Sequence, residues 1–151
     1  MTRIDIPATS ANLGSGFDSL GIALTMCNRV WMEEADELKI TTTDKIKVPT
    51  DETNLIYWAA RHLYQICGKT LPGLHISQEN NIPMARGLGS SSACIVAGIL
   101  GANRMLGSPM SQSDLINLAA QIEGHPDNTS PAISGGLVAS AMEGKRVYSV
   151  S

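Results

Sequence analysis

An α+β fold is predicted for this chain by three observations. Strand-like alternation and β-branched stretches crowd residues 3–48, helical spacing takes over between 55 and 122, and two short strand-like segments close the chain at 137–142 and 146–150. Strands gathered first and helices after are an α+β order, whereas a doubly wound parallel sheet needs regular βαβ alternation.

Residues 3–8 alternate through Ile4, Ile6 and Ala8, a strand expected to stop at Pro7 and the turn residues that follow. The polar stretch from Thr9 to Asp18 holds two glycines and offers Asn12 and Asp18 as donors and acceptors. On spacing alone it also fits a wide hairpin loop using Asn and Asp for turn geometry. Leu20–Met32 and Leu38–Thr43 read as strands in a meander with the first, parted by a solvated acidic turn at 33–37. Ile46-Lys47-Val48 reads as an edge strand ended by Pro49.

Asp51 or Thr53 is expected to cap a helix whose apolar face carries Leu55, Ile56, Ala59, Ala60, Leu63, Ile66 and Cys67, with Gly68 as its stop. His62 falls off that face, and His75 alternates away from Leu74 and Ile76, so neither is assigned chemistry. A second helix is expected over about 90–106, and Ser111-Gln112-Ser113-Asp114 opens a third as a capping box. That third helix ends in Glu123-Gly124-His125-Pro126-Asp127-Asn128, a dense packet of ionisable and amide groups that also fits a glycine-stopped polar turn. Pro131 is expected to start a short turn, and Gly135-Gly136 leads into the closing hairpin.

With 151 residues, 43% of them apolar and 17% charged, the chain is long enough for one soluble domain with a real core. A net charge of −3 and the lack of any Lys/Arg run argue against nucleic acid and anionic lipid as partners. Met1-Thr2-Arg3 leads into a strand and not an apolar leader, and no run approaches a membrane span. Cys27, Cys67 and Cys94 are odd in number and lack metal spacing, so buried free thiols in a reducing, cytoplasmic setting are expected.

The stretch from Ile82 to Ala93 organises the rest. A proline turn and two glycines run into three serines, and an apolar helix follows. Glycines let backbone approach a ligand, the first amides of a helix lack internal partners, and the helix dipole favours negative charge there. Serines add hydroxyls that cap or ligate. The expectation is a phosphate cradle. A Walker A loop is excluded because no lysine lies between Lys69 and Lys145, and the dinucleotide fingerprint lacks its third glycine where Ser92 stands.

Pro83-x-x-x-Gly87-Leu88-Gly89-Ser90-Ser91-Ser92-Ala93 resembles the phosphate-binding motif of the GHMP kinases. The opening Pro7-Ala8-Thr9-Ser10-Ala11-Asn12-Leu13-Gly14-x-Gly16-Phe17-Asp18 resembles in particular the members that act on homoserine. So does 123–128, followed by Pro131-Ala132-Ile133 and Gly135-Gly136. The three motifs stand in the right order through essentially the whole chain. This resemblance implies a ribosomal protein S5 domain 2-like fold: a mixed or antiparallel sheet with helices on one face and a left-handed βαβ unit. It also implies ATP-dependent phosphorylation of the homoserine side-chain hydroxyl, in threonine biosynthesis.

Carried over by position, Pro83, Met84, Ala85, Arg86, Gly87, Leu88, Gly89, Ser90, Ser91, Ser92 and Ala93 would wrap the ATP phosphates. Ser91 and Glu123 would ligate Mg²⁺, and Asn54 would lie at the adenine. Asn12, Asp18, His125 and Asn128 would surround homoserine, with Asp18 facing its ammonium. Asp127 and His125 stand nearest to acting as a base, but the family is expected to work by positioning, so no base is assigned.

Two residues depart from the pattern, Ser15 where the family usually has proline and Ser92 where alanine is common. The family's second half, which completes the substrate pocket and supplies arginines for the carboxylate, is not in this sequence. Residues 1–151 are therefore expected to be the N-terminal, ATP-binding domain, with self-association or a homodimer favoured by apolar surface left uncovered. A non-catalytic nucleotide-binding fragment, or a kinase of another small alcohol such as mevalonate, are the alternatives.

Overall fold

The structure is a computed structural model that describes residues 1–11, 20–83 and 88–151. Six strands form one mixed sheet around a long central strand, β2 (Leu20–Glu34). One edge of β2 pairs antiparallel with β1 (Thr2–Ala11). Its other edge is shared: residues 29–34 pair with β4 (Leu74–Glu79), and residues 20–22 pair with β5 (Leu137–Glu143). β3 (Lys39–Thr42) lies parallel to β4 at one end, and β6 (Arg146–Val150) closes a hairpin with β5 at the other.

Several expectations change here. β1 is not stopped by Pro7. It continues to Ala11 across a register shift, from Pro7 opposite Cys27 to Thr9 opposite Ala23. A proline has no N–H for the ladder, and a bulge is where a strand tolerates one. β3 does not join a meander with β1 and β2. It is parallel to β4, which requires the crossover through α1 (Leu55–Ile66). Ile46–Val48 is not a strand: the Asp44 carboxylate accepts from the backbone N–H of Ile46 (2.9 Å) and of Asn80 (2.6 Å), tying that loop down with side-chain bonds instead of a ladder. Pro131 lies within a short helix, α4 (Thr129–Ser134), whose first turn does not need its missing N–H.

The helices cover one face of the sheet. Ile4, Ile6 and Ala8 of β1, Val30 and Met32 of β2, and Leu74 and Ile76 of β4 are buried there against α1 and α2 (Ser90–Met105). Across the other face, Arg3 pairs with Asp5, and Arg29 with Glu79 directly opposite it on β4 (2.9 Å each). Gly98 sets the approach of α1 to α2, since a β-carbon there would lie 2.3 Å from the Ile56 carbonyl oxygen.

α1 is capped by Asn54, not by Asp51 or Thr53. The Asn54 side chain accepts from the N–H of Ile56 (2.9 Å) and Tyr57, while Asp51 is spent on Thr53. Leu55 and Ile66, expected on the buried face, are 39% and 53% exposed at the two ends of the helix. His62 stacks on Trp58 at the surface. α3 (Gln112–Glu123) opens with the expected box: Ser111 Oγ accepts from Asp114 N–H, and the Asp114 carboxylate accepts from Ser111 N–H. Gly124 ends it with φ of 93°. All three cysteines are free thiols and half-buried.

Candidate active site

The helix α2 begins at Gly89, which takes φ of 70°, and the first helical bond runs from Ala93 N–H to the Gly89 carbonyl (2.8 Å). Among the described residues no side chain caps the amides before it, so the serines do not serve as caps here. Three successive N–H groups therefore lack a helical acceptor at the positive end of a sixteen-residue dipole. That donor set fits a polyphosphate. Ser90 and Ser91 face an adjoining cleft, whereas Ser92 and Ala93 turn into the protein at 2% exposure.

Two distant segments meet this helix start. Thr9, at the bulge of β1, donates its backbone N–H to the Leu88 carbonyl (3.0 Å) and its hydroxyl to Asn128 Oδ1 (2.7 Å). Gly89 packs on that hydrogen bond, where a β-carbon would sit 2.2 Å from Thr9 Oγ1 and 3.2 Å from Asn128 Oδ1. The packet at 125–128 is thereby brought to the serine turn. Its position is set from the other side by Gly21 of β2, where a β-carbon would fall 1.9 Å from the Asp127 carbonyl oxygen.

Within the packet, the Asp127 carboxylate is 2% exposed and binds His125 Nδ1 and the Asn128 N–H (3.1 Å). His125 is half-buried, with Nδ1 turned to Asp127. The buried Asp127 carboxylate thus holds the His125 imidazole by Nδ1. Glu123 is half-buried in the last turn of α3, and Ser91 is exposed in the first turn of α2. Among the described residues no three His, Cys, Asp or Glu side chains gather as a metal group. A serine hydroxyl and one carboxylate are the hard oxygen donors that suit Mg²⁺, which keeps several waters.

The cleft beside Ser90 and Ser91 has a volume of about 280 Å³ and is walled by Val48, Pro49, Leu55, Ile82 and Cys94. That is small for a ligand site and suits one ring system rather than a whole nucleotide. Asn54 lies in its wall at 3% exposure. Its carboxamide is fully committed: Oδ1 caps α1, and Nδ2 donates to the Pro49 carbonyl and to Gln78 Oε1 (2.9 Å each). Gln78 Nε2 in turn donates to Asn80 Oδ1 (3.3 Å), and Asn80 Nδ2 is buried without a partner among the described residues. Asn54 thus shapes the cleft through the cap and this amide chain. Burial pushes the Cys94 thiol up to about 11.

Of the residues singled out in the sequence, Leu88, Gly89, Ser90, Ser91 and Asn128 belong to the region around the α2 start, and His125 is tied to Asn128 through Asp127. Pro83 is exposed at the approach to it. Asn12, Asp18, Met84, Ala85, Arg86 and Gly87 lie outside the described residues. Sequence reasoning missed Thr9 and the anchoring role of Asp127, because both depend on partners across the fold. Gln78, in β4, and Asn80, just beyond its end, carried no signal of their own.

Comparison with known proteins agrees with this fold. Residues 54–136 match the family described as GHMP kinases N terminal domain. A homoserine kinase of Moorella thermoacetica is 46% identical over 149 residues, covering 97% of this chain and 50% of the relative. One from Trichodesmium erythraeum is 49% identical over 148 residues, covering 93% and 48%. The crystal structure of homoserine kinase from Cytophaga hutchinsonii superposes with a TM-score of 0.84 at 30% identity, over 99% of this chain and 50% of that one. The chain spans about half the length of the curated relatives it matches. On the family match and on this fold, the chain belongs to the GHMP kinases, by way of that family's N-terminal domain.

Proposed function

We propose that this chain is the ATP-binding, N-terminal domain of an enzyme that transfers the γ-phosphoryl group of ATP to the side-chain hydroxyl of L-homoserine. The observation that carries the reading is the meeting of Asn128, Thr9 and Gly89 at an uncapped helix start. There, polar groups fit to hold an alcohol stand over amides fit to hold a polyphosphate. The named activity of the relatives supports the choice of homoserine.

In this reading the amides of 88–92 grip the β- and γ-phosphates, with Pro83 to Gly87 completing the loop. The adenine enters the cleft against Leu55, Ile82 and Cys94. Ser91 and Glu123 hold Mg²⁺, which supplies neutralising charge to the polyphosphate. His125 and Asn128 orient homoserine, with Asn12 beside it and Asp18 facing its ammonium. No base is required of the chain, since phosphoryl transfer gains most of its acceleration from alignment and charge stabilisation.

A cytoplasmic enzyme of small-molecule metabolism, without nucleic-acid or membrane partners, follows from the same reading. Its supports are the net charge of −3 and the lack of any helix long and apolar enough to cross a membrane among the described residues. ADP release should depend on L-homoserine and not on mevalonate. Binding of a non-hydrolysable ATP analogue without turnover would instead make the chain a nucleotide-binding module, and no binding at all would overturn the reading.

A further inference from the structure

Asn128 has a carboxamide with two unlike ends, and the fold decides which end is used up. Its Oδ1 accepts from the Thr9 hydroxyl at 2.7 Å, and Nδ2 has no acceptor among the described residues. Oxygen and nitrogen diverge from the same carbon, so an oxygen turned to Thr9 leaves the amino end turned away from it. Asn128 is half-buried, while Thr9 is 1% exposed and sealed under Gly89. We infer that Thr9 is a positioning residue: its buried hydroxyl proton, which has no other acceptor among the described residues, is donated to Oδ1 and so holds the Asn128 carboxamide with its amino end, a donor, towards the substrate.

The chemistry favours that choice. The substrate carboxylate and the phosphoryl oxygens of the proposed site can only accept, so a carbonyl oxygen facing either would repel where an N–H bonds. With the hydroxyl gone, Oδ1 loses its only donor among the described residues and the carboxamide can turn over. The same residue holds Leu88 through its backbone N–H, which a side-chain change leaves in place. Substrate orientation and phosphate-loop anchoring are therefore separable at Thr9. This inference rests on Asn128 lying in the homoserine site as proposed above.

Thr9→Val removes the hydroxyl but brings a methyl against Oδ1, so Thr9→Ala is made alongside it and Thr9→Ser as the rescue. Two measurements are needed. In ¹⁵N spectra the Asn128 side-chain amide, identified by its loss in Asn128→Asp, should keep its shift in Thr9→Ser and move or broaden in Thr9→Ala and Thr9→Val. In ADP-release assays KM for homoserine should rise roughly tenfold in Thr9→Ala and Thr9→Val, as for one lost orienting hydrogen bond. Affinity for the ATP analogue should stay within about twofold, and Thr9→Ser should restore KM. A role in folding alone would move nucleotide affinity together with KM. An Asn128 amide unmoved in both Thr9→Ala and Thr9→Val overturns the inference, whatever the activity. Normal homoserine kinetics in those variants, while Asn128→Ala is impaired, overturns it too. Unimpaired kinetics in Asn128→Ala would instead overturn the placement of Asn128 in the site.

Discussion

A β-carbon on Gly89 would lie 2.2 Å from the hydroxyl oxygen of Thr9, closer than any side-chain contact tolerates. The same glycine holds φ of 70°, where L side chains are strained. Gly89→Ala therefore has to push Thr9 off Asn128 and shift the first turn of α2. Thermal unfolding should show a loss of about 1–3 kcal/mol, and affinity for the ATP analogue should fall at least roughly tenfold. Wild-type affinity in that variant would mean that the helix start is not the phosphate site.

Asn54 combines two tasks that substitutions can separate. Asn54→Ala removes the cap of α1 and the link to Gln78, and should cost about 1–3 kcal/mol in denaturant unfolding. Asn54→Ser keeps a capping oxygen but no amino group. It should recover part of that stability while leaving nucleotide affinity low, because the wall formed by Pro49 and Gln78 is no longer held. Recovery of both together would show that the cap alone shapes the cleft.

His125 and Asp127 should behave as a coupled pair. Asp127→Asn weakens the grip on Nδ1 of the imidazole without changing side-chain size. If Asp127 acts only as an anchor, homoserine-dependent turnover should fall about tenfold to a hundredfold, and His125→Ala combined with Asp127→Asn should be no worse than His125→Ala alone. Additive losses in that double-mutant cycle would give Asp127 a task of its own.

Cys94 provides a pH-dependent probe of the cleft. Its thiol is pushed up to about 11 by burial, from a usual value of 9.0, so at pH 8 only about one molecule in a thousand carries the thiolate. Alkylation by iodoacetamide at Cys94 should be slow at pH 8, accelerate towards pH 11, and slow again when the ATP analogue fills the cleft. The folded state holds this proton more tightly than the unfolded chain. The associated stability is therefore present below pH 9 and lost as pH rises towards 11. Peptide mapping after timed alkylation reads the rate, and rapid labelling at pH 8 would contradict the burial.

What was legible in advance was decided within a few residues. Ser111 caps α3 because Asp114 stands three positions on, and Gly124 ends it because the chain must turn left-handed there. The hairpin at 137–150 and the long helix after the serines are local in the same sense, as is the glycine-serine start whose first amides lack a helical acceptor. These interactions close within one or two turns of chain, so residue type and spacing determine them.

Tertiary structure decided the rest. Asp51, Thr53 and Asn54 are all competent caps, and Asn54 prevails where Pro49 and Gln78 take up its amino group. β3 pairs parallel with β4 because α1 must cross over the sheet between them, a constraint that no strand's own pattern records. Asp127 looks like any acid in a polar turn until β2 closes over it at Gly21. Thr9 acquires its meaning only from a partner 119 positions away. Spacing along the chain therefore announced by itself a glycine-led helix start whose first amides lack a helical acceptor. Which side chains stand over that start, and which way their polar ends face, required the folded sheet to bring them there.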